Sequence, residues 1–278
     1  WAEKQLATKH DKPLFLAVGI YRPHIPWWTP EKYFEEHPLE KLALPKTPEG
    51  DLDDVPVAGK KFARTHWQKW IVDNDQWKKA VQGYLASMTF ADAMVGRLIA
   101  ALDNGPLADN TVIVLWSDHG YHLGHKQHWE KFALWEQATH VPLLFVDSRG
   151  GTHQTKQPWM VGGRCDQPAS LLDVYPTLAE ICNLKKPETL DGKSLLPQLR
   201  DPAKKTGRAV VTTHGFRNHA VRSDRWRYIR YADGSEELYD HSSDPAEHTN
   251  LASKKDLTEI KRDLARWLPT ENRNPDGK

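Results

Sequence analysis

The sequence predicts a mixed α/β fold: a mostly parallel central sheet flanked by helices, followed by a small antiparallel α+β subdomain. Three observations carry this expectation. Three short apolar runs, LFLAVG (residues 14–19), TVIVLWS (111–117) and VPLLFVD (141–147), have the continuous hydrophobic texture of strands covered on both faces. Between the first two lies a long stretch with apolar residues three and four apart, giving the strand–helix–strand order of an α/β sheet. Beyond about residue 205 the apolar runs shorten and turn residues punctuate them.

Each element follows from its residues. Residues 1–9 (WAEKQLATK) read as the tail of a helix with no capping residue before it, which leads us to expect upstream sequence. Residues 31–70 are rich in proline and charge and are expected to wrap the surface as an ordered loop. Val81, Tyr84, Leu85, Met88, Ala91, Met94, Val95, Leu98 and Leu102 predict a helix over residues 77–103, stopped by Asn104-Gly105-Pro106. Residues 170–183 form a second helix candidate. Residues 209–213, 220–231 and 236–239 read as short strands, with turns at Asn218 and Asp233-Gly234, and residues 257–268 as an amphipathic helix. The expected division is a core over residues 1–204, lacking its N-terminal part, and a subdomain over 205–278.

Charge and cysteine narrow the function classes. The 38 basic and 37 acidic residues nearly cancel, so no long-range field draws the chain to nucleic acid or to an anionic membrane. An anionic substrate must be caught by a local cluster. Two cysteines, Cys165 and Cys182, are too few for a disulfide framework; one bridge or two buried thiols both fit. No run of eighteen apolar residues exists, so no membrane span is expected. The sequence does not indicate an oligomeric state.

Three clusters carry chemistry. Ser117-Asp118-His119-Gly120 directly follows the run TVIVLW, and ligand sites of α/β sheets lie beyond the carboxyl ends of strands. An Asp and a His there can face one metal ion or one phosphate-like group; the alternative is Asp118 capping a following helix. His122, His125, Lys126, His128, Trp129 and Lys131 come next, within ten residues. So many potential cations suit a small dianion, through Lys as a point charge and His as a donor of a hydrogen bond or proton. A solvated polar loop is the plainer reading for His122, His125 and Lys126. Lys131, beside Trp129, Phe132 and Trp135, favours the functional one. Arg22-Pro23-His24-Ile25-Pro26-Trp27 follows the run LFLAVG, and its two prolines hold the loop extended and fix where His24 points.

These blocks, in order and spacing, resemble the sulfatases of the alkaline-phosphatase-like superfamily, in particular the iduronate-2-sulfatase-like branch. The resemblance runs from KPLFLAVGIYRPHIPW through YLASMTFADAMVGRLIAALD and TVIVLWSDHGYHLGHKQHWEKFALWEQATHVPLLFV to DVYPTLAEI, DGKSLLPQL and ELYDHSSDPAEHTNL. It implies hydrolysis of a sulfuric ester on a sulfated carbohydrate, a divalent cation, usually Ca²⁺, and a formylglycine nucleophile. By motif, Asp118 and His119 would hold the metal, with His119 the less secure ligand because calcium prefers oxygen. Lys131 would contact sulfate oxygens, and His24 would face the sulfate and protonate the leaving alcohol. Tyr121, His128 and Trp129 would line the pocket near the leaving sugar. His125 stands where relatives often carry Glu, which changes the pocket charge. The formylglycine motif C-x-P-x-R and the early Asp-Asp pair of the family do not occur, and Asp53-Asp54 lies in the wrong loop to match that pair. Both elements are expected upstream of residue 1, and these residues alone are expected to be inactive. A periplasmic, secreted or lysosomal-type compartment is implied by the resemblance alone. A phosphodiesterase or phosphonate hydrolase of the same superfamily, and an inactive glycan-binding fragment, remain as alternatives.

Overall fold

The computed structural model describes residues 1–148 and 159–273. In chain order the helices are α1 (Ala2–Leu6), α2 (Glu31–Glu35), α3 (Val57–Lys60), α4 (Thr65–Asp73), α5 (Trp77–Asp103), α6 (Glu136–Thr139), α7 (Val174–Ile181), α8 (Leu196–Arg200) and α9 (Thr258–Ala265). The strands are β1 (Val112–Trp116), β2 (His122–Leu123), β3 (Trp129–Glu130), β4 (Leu143–Asp147), β5 (Val210–Thr213), β6 (His219–Arg222), β7 (Trp226–Arg230) and β8 (Glu236–Asp240). The chain forms two compact units, one of Trp1–Lys46, His66–Leu115 and residues 144–148, the other of Thr47–Thr65, Trp116–Leu143 and residues 159–273.

The first unit is organised by α5, which spans the residues its apolar spacing predicts. The N–H of Asn104 bonds the carbonyl of Ala100 at 3.2 Å and that of Gly105 bonds Leu102 at 2.9 Å, closing the last turn. Helices α1 and α2 pack along α5. Tyr33 meets Phe90 edge-on at 5.4 Å, and Arg97 holds Glu3 through two bonds of 2.9 Å. By length and composition α5 could also cross a membrane, the one described helix of which this is true.

Strands β1 and β4 pair. The N–H of Ser148 bonds the carbonyl of Thr111 at 3.0 Å and that of Ser117 bonds Pro142 at 3.4 Å, so the two strands run in opposite directions. The mostly parallel central sheet expected from the sequence is not seen among the described residues. Residues 14–19 form no strand: Phe15 is 82% exposed and Val18 44%. An apolar run becomes a strand only where a neighbour offers backbone partners, and none of the described residues pairs with this one.

The second unit is built on the antiparallel sheet β5-β6-β7-β8. Its pairing sets Ala220 opposite Ile229 and Val221 opposite Tyr228, and Tyr228 opposite Leu238. Side chains alternate across the pleat, so Ala220, Ile229 and Tyr239 face one side and Val221, Tyr228 and Leu238 the other. Both sides are buried. The first packs against Leu52, Val55, Ala133, Leu134, Trp135 and Ala138; the second packs against Leu264 of α9. The sheet therefore carries the segment that follows the SDHG motif.

Three further expectations change. Residues 31–70 are wound into short helices, α2, α3 and the start of α4, with an additional 3₁₀ turn at Leu39–Lys41. Residues 220–231 divide into β6 and β7, because Ser223 and Trp226 close a turn between them. Cys165 and Cys182 are neither bridged nor buried; both are free and exposed. The helix expected at 170–183 forms as α7, preceded by a 3₁₀ turn in which Ser170 and Asp173 cap one another.

Candidate active site

The Ser117-Asp118-His119-Gly120 loop is fastened to α6. The N–H of Gly120 bonds the carbonyl of Ala138 at 2.9 Å, and a β-carbon at Gly120 would stand 2.0 Å from the carbonyl oxygen of Gln137. Only glycine fits there. Beyond this pin the Asp118 side chain is 76% exposed, and its Oδ2 lies 3.7 Å from His119 Nε2. His119 Nδ1 sits 2.8 Å from the carbonyl of Gly120, which can only accept, so Nδ1 carries the proton. That leaves the Nε2 lone pair on the side of Asp118. A ring held through Nδ1–H to a backbone carbonyl is the usual arrangement of a metal-ligating histidine. Asp118 and His119 thus fit one edge of a divalent cation's shell. Calcium needs six to eight oxygens, so they do not make a whole site by themselves.

The following segment departs from the solvated loop considered above. His122 and His128 are fully buried and Lys126 is 1% exposed. Lys126 Nζ lies 3.0 Å from Asp51 Oδ1 and 5.2 Å from the Tyr239 ring centroid, and Asp51 Oδ1 also meets His248 Nδ1 at 3.2 Å. Lys126 is therefore an internal ion-pair residue. Four residues of this segment, Gly124, Lys126, Gln127 and Glu130, have left-handed backbone, three of them with side chains. Such conformations persist only where their surroundings enforce them. Here the segment before α4 does so: Asp51 takes Lys126, the N–H of Arg64 donates to His128 Nδ1 at 3.0 Å, and Arg64 Nη1 meets Glu130 Oε2 at 2.6 Å.

His128 and Trp129, expected to line a sugar pocket, are both buried, Trp129 at 4% exposure. Their rings form part of the unit's interior, with His128 4.8 Å from His122 and 6.3 Å from Trp135. Tyr121 and His125 are half-buried. Burial lowers the His125 pKa, opposed by the Asp51 charge. Lys131 is half-buried, with Nζ 5.7 Å from the Phe132 ring centroid.

His24 belongs to the other unit. Trp27 anchors its loop on α5, meeting Tyr84 edge-on at 6.2 Å over Gly83, where a β-carbon would come within 3.0 Å of the indole. His24 Nδ1 lies 2.7 Å from the carbonyl of Ile25 and 2.9 Å from the Tyr21 hydroxyl. The carbonyl fixes the proton on Nδ1 and orients the ring.

The buried histidines make stability pH-dependent. Burial, with the Arg64 and His214 charges adding, holds the His128 pKa down at about 3. Burial and the neighbouring His128 push His122 well below its ordinary value. The unfolded chain binds these protons near pH 6.5 and the folded chain does not, so stability is full above that pH and falls as pH drops towards 3. We expect unfolding free energy from urea titrations to decline by at most about 1.4 kcal/mol per pH unit for each histidine over this window. His128→Asn should flatten the slope; an unchanged slope would remove His128 as its source.

Among the described residues, the one group of three that could offer converging metal ligands is Glu136, His241 and Glu247, whose ligand atoms lie within 4.8 Å of one another. It does not fit a cation. Arg227 contacts both carboxylates, Arg222 lies 3.3 Å from Glu136, and His241 Nε2 is 2.9 Å from Glu247. Burial would raise the Glu136 pKa, and the Arg227 and Arg222 charges overcome it and hold it at about 2. The guanidiniums already occupy the place of a metal.

Comparison with known proteins decides the family. The sulfatase family model matches residues 2–184, and the model described as N-sulphoglucosamine sulphohydrolase, C-terminal, matches residues 124–274. The chain belongs to the sulfatase family. A sulfatase from Formosa agariphila is 39% identical over 98% of this chain and 52% of its own length. Human iduronate 2-sulfatase is 30% identical over 68% of this chain and 41% of its own. The phosphonate monoester hydrolase of Agrobacterium radiobacter shares the fold, with a TM-score of 0.75 and 23% identity over 95% of this chain and 57% of that one. This sulfatase chain spans about half the length of the curated relatives it matches.

Sequence reasoning missed Asp51 and Arg64, which brace the sulfatase block from a distant segment, and His214, which packs beside Phe132. The only signal in the sequence was an excess of potential cations in residues 122–131, where Glu130 is the single acid.

Proposed function

We propose that the complete protein carrying these residues hydrolyses sulfuric esters of carbohydrates. The observation that supports this most is the pairing of an exposed Asp118 carboxylate with His119, its Nδ1 proton committed to the backbone, in a block that also supplies Lys131. Lys131 neutralises charge on the sulfate oxygens as it develops. His24 gives a proton to the leaving oxygen from Nε2, which requires the doubly protonated ring because Nδ1–H is held by Ile25. Asp118 and His119 would contribute to holding a divalent cation, Ca²⁺ by resemblance, which would supply Lewis-acid stabilisation of the sulfate. The formylglycine nucleophile is placed by the same proposal in residues preceding Trp1. Tyr121 and His125 contact the sugar, while His128 and Trp129 support them from within the core. The name of iduronate 2-sulfatase among the relatives favours a sugar substrate. The compartment proposed is periplasmic, secreted or lysosomal-type.

The test is release of inorganic sulfate from a monosulfated sugar by the complete protein. Turnover that requires a divalent cation, with none from residues 1–278 alone, is expected. Faster cleavage of a phosphonate monoester than of any sulfate ester would replace this reading with that of the hydrolase sharing the fold.

A further inference from the structure

Phe132, between the half-buried Lys131 and the buried Ala133, is 43% exposed. Two cations flank it: Arg64 Cζ at 5.0 Å and Lys131 Nζ at 5.7 Å from its centroid. Both are within the range of cation–π attraction, so a guanidinium and an ammonium share one aromatic ring. His214 approaches the same ring at 6.1 Å and is backed by Phe62 at 5.0 Å. His214 comes from the turn between β5 and β6, where its N–H bonds the carbonyl of Asn218 at 3.0 Å. Phe216 in the same turn is 38% exposed.

Arg64 is braced rather than merely present. Glu130, which meets its Nη1 at 2.6 Å, sits in left-handed backbone, a conformation unfavourable for a residue with a side chain. A guanidinium has five donors, so the carboxylate on Nη1 leaves further donors able to bind a second anion. An apolar ring with two cations and an imidazole around it suits a ligand that is apolar on one face and carries two separate anionic groups.

We propose that Arg64, Phe132 and His214 form a subsite beside Lys131 that reads a second anionic group, carboxylate or sulfate, on a sulfated sugar whose ring lies against Phe132. This rests on the reading that Lys131 holds the sulfate to be cleaved. The Arg64 guanidinium binds the second anion, Phe132 supplies the apolar platform, and His214 closes its edge. The subsite makes the protein selective for doubly anionic sugars.

Equilibrium binding to the 278-residue chain, read by calorimetry, tests it with three probes: inorganic sulfate, a monosulfated hexosamine and a disulfated hexosamine. The disulfated sugar should bind at least about tenfold more tightly than the monosulfated one, the value of one charge-assisted contact. Arg64→Gln should lower that ratio about tenfold, and Phe132→Ala should lower affinity for both sugars more than for inorganic sulfate. Equal binding of the two sugars, or a ratio that Arg64→Gln leaves intact, overturns the subsite. Should Arg64→Gln fail to fold, Glu130→Gln decides: freeing the guanidinium must raise the ratio, and a ratio that does not rise overturns the subsite equally. Lys131→Ala addresses the underlying reading separately, since it should weaken all three probes. Survival of sulfate binding in that variant would remove the sulfate site at Lys131 and the subsite built upon it.

Discussion

Lys131→Ala in the complete protein is expected to lower kcat/KM for a sulfate ester by about 10²-fold or more, with most of the loss in kcat. An attacking nucleophile brings its own negative charge to the sulfuryl group, so the anionic charge beside Lys131 is larger in the transition state than in the bound ester, while charge also passes to the leaving oxygen as its bond to sulfur lengthens. A fixed ammonium is therefore worth more at the top of the barrier than at the start, and its removal shows in kcat rather than in KM. Lys131→Arg is the informative partner variant. It keeps the cation but replaces a compact charge with a planar fork, and we expect it to recover part of the loss. Steady-state rates with a monosulfated sugar over a range of concentrations provide the measurement. A Lys131→Ala enzyme with unaltered kcat would show that the ammonium touches nothing in the reaction.

The largest stability effect is expected at Arg227. Its side chain is 2% exposed, and it bonds Glu136 and the fully buried Glu247, while its Nη1 donates to the carbonyl of Leu134 at 3.0 Å. Arg227→Met leaves two carboxylates in the interior with Arg222, His241 and His140 as the neighbouring basic groups. Breaking a buried pair in this way costs about 3–5 kcal/mol, because the remaining charges lose their partner without regaining water. Urea unfolding at pH 7 would show the loss. The pH dependence would also reverse. In the native protein Arg227 helps hold the Glu136 pKa at about 2, so that carboxylate's stabilising contribution is lost as pH falls from about 4.5 towards 2. In the variant the folded pKa values rise above the unfolded ones, and the deficit shrinks as the pH falls through them. A variant whose deficit is the same at pH 7 and pH 5 would show that the two carboxylates do not depend on Arg227.

What could be read from the sequence was what depends on neighbours in the chain. Helix α5 is legible because its apolar residues recur every three to four positions and Asn104-Gly105-Pro106 ends it. Strands β1 and β4 are legible because short apolar runs rich in β-branched residues have few other uses. Residues 14–19 have the same texture and form no strand, since a strand is a property of two segments and none of the described residues pairs with this one. The site divides along the same line. Asp118 and His119 stand side by side in the chain and were found together. Lys126 was weighed as a solvated residue because its carboxylate, Asp51, lies 75 positions away. Glu247, which accepts the N–H of Glu136 at 2.9 Å from 111 positions away, carries no local sign of its role. The left-handed backbone at Lys126, Gln127 and Glu130 has no signature either, because none of these residue types prefers it.

The sheet β5-β6-β7-β8 bears on how such a chain can be taken apart and recombined. One of its faces is covered by α9, which follows it, and the other by Leu52, Val55 and residues 133–138, which precede it by a long way. A gene fragment beginning at β5 would encode a sheet with one dry face and one wet apolar face, and nothing of its own to cover the second. The C-terminal portion therefore does not behave as an exchangeable cassette between relatives. Any exchange must carry the segment around Val55 and the stretch through Trp135 with it, or the graft arrives with half of its core left behind.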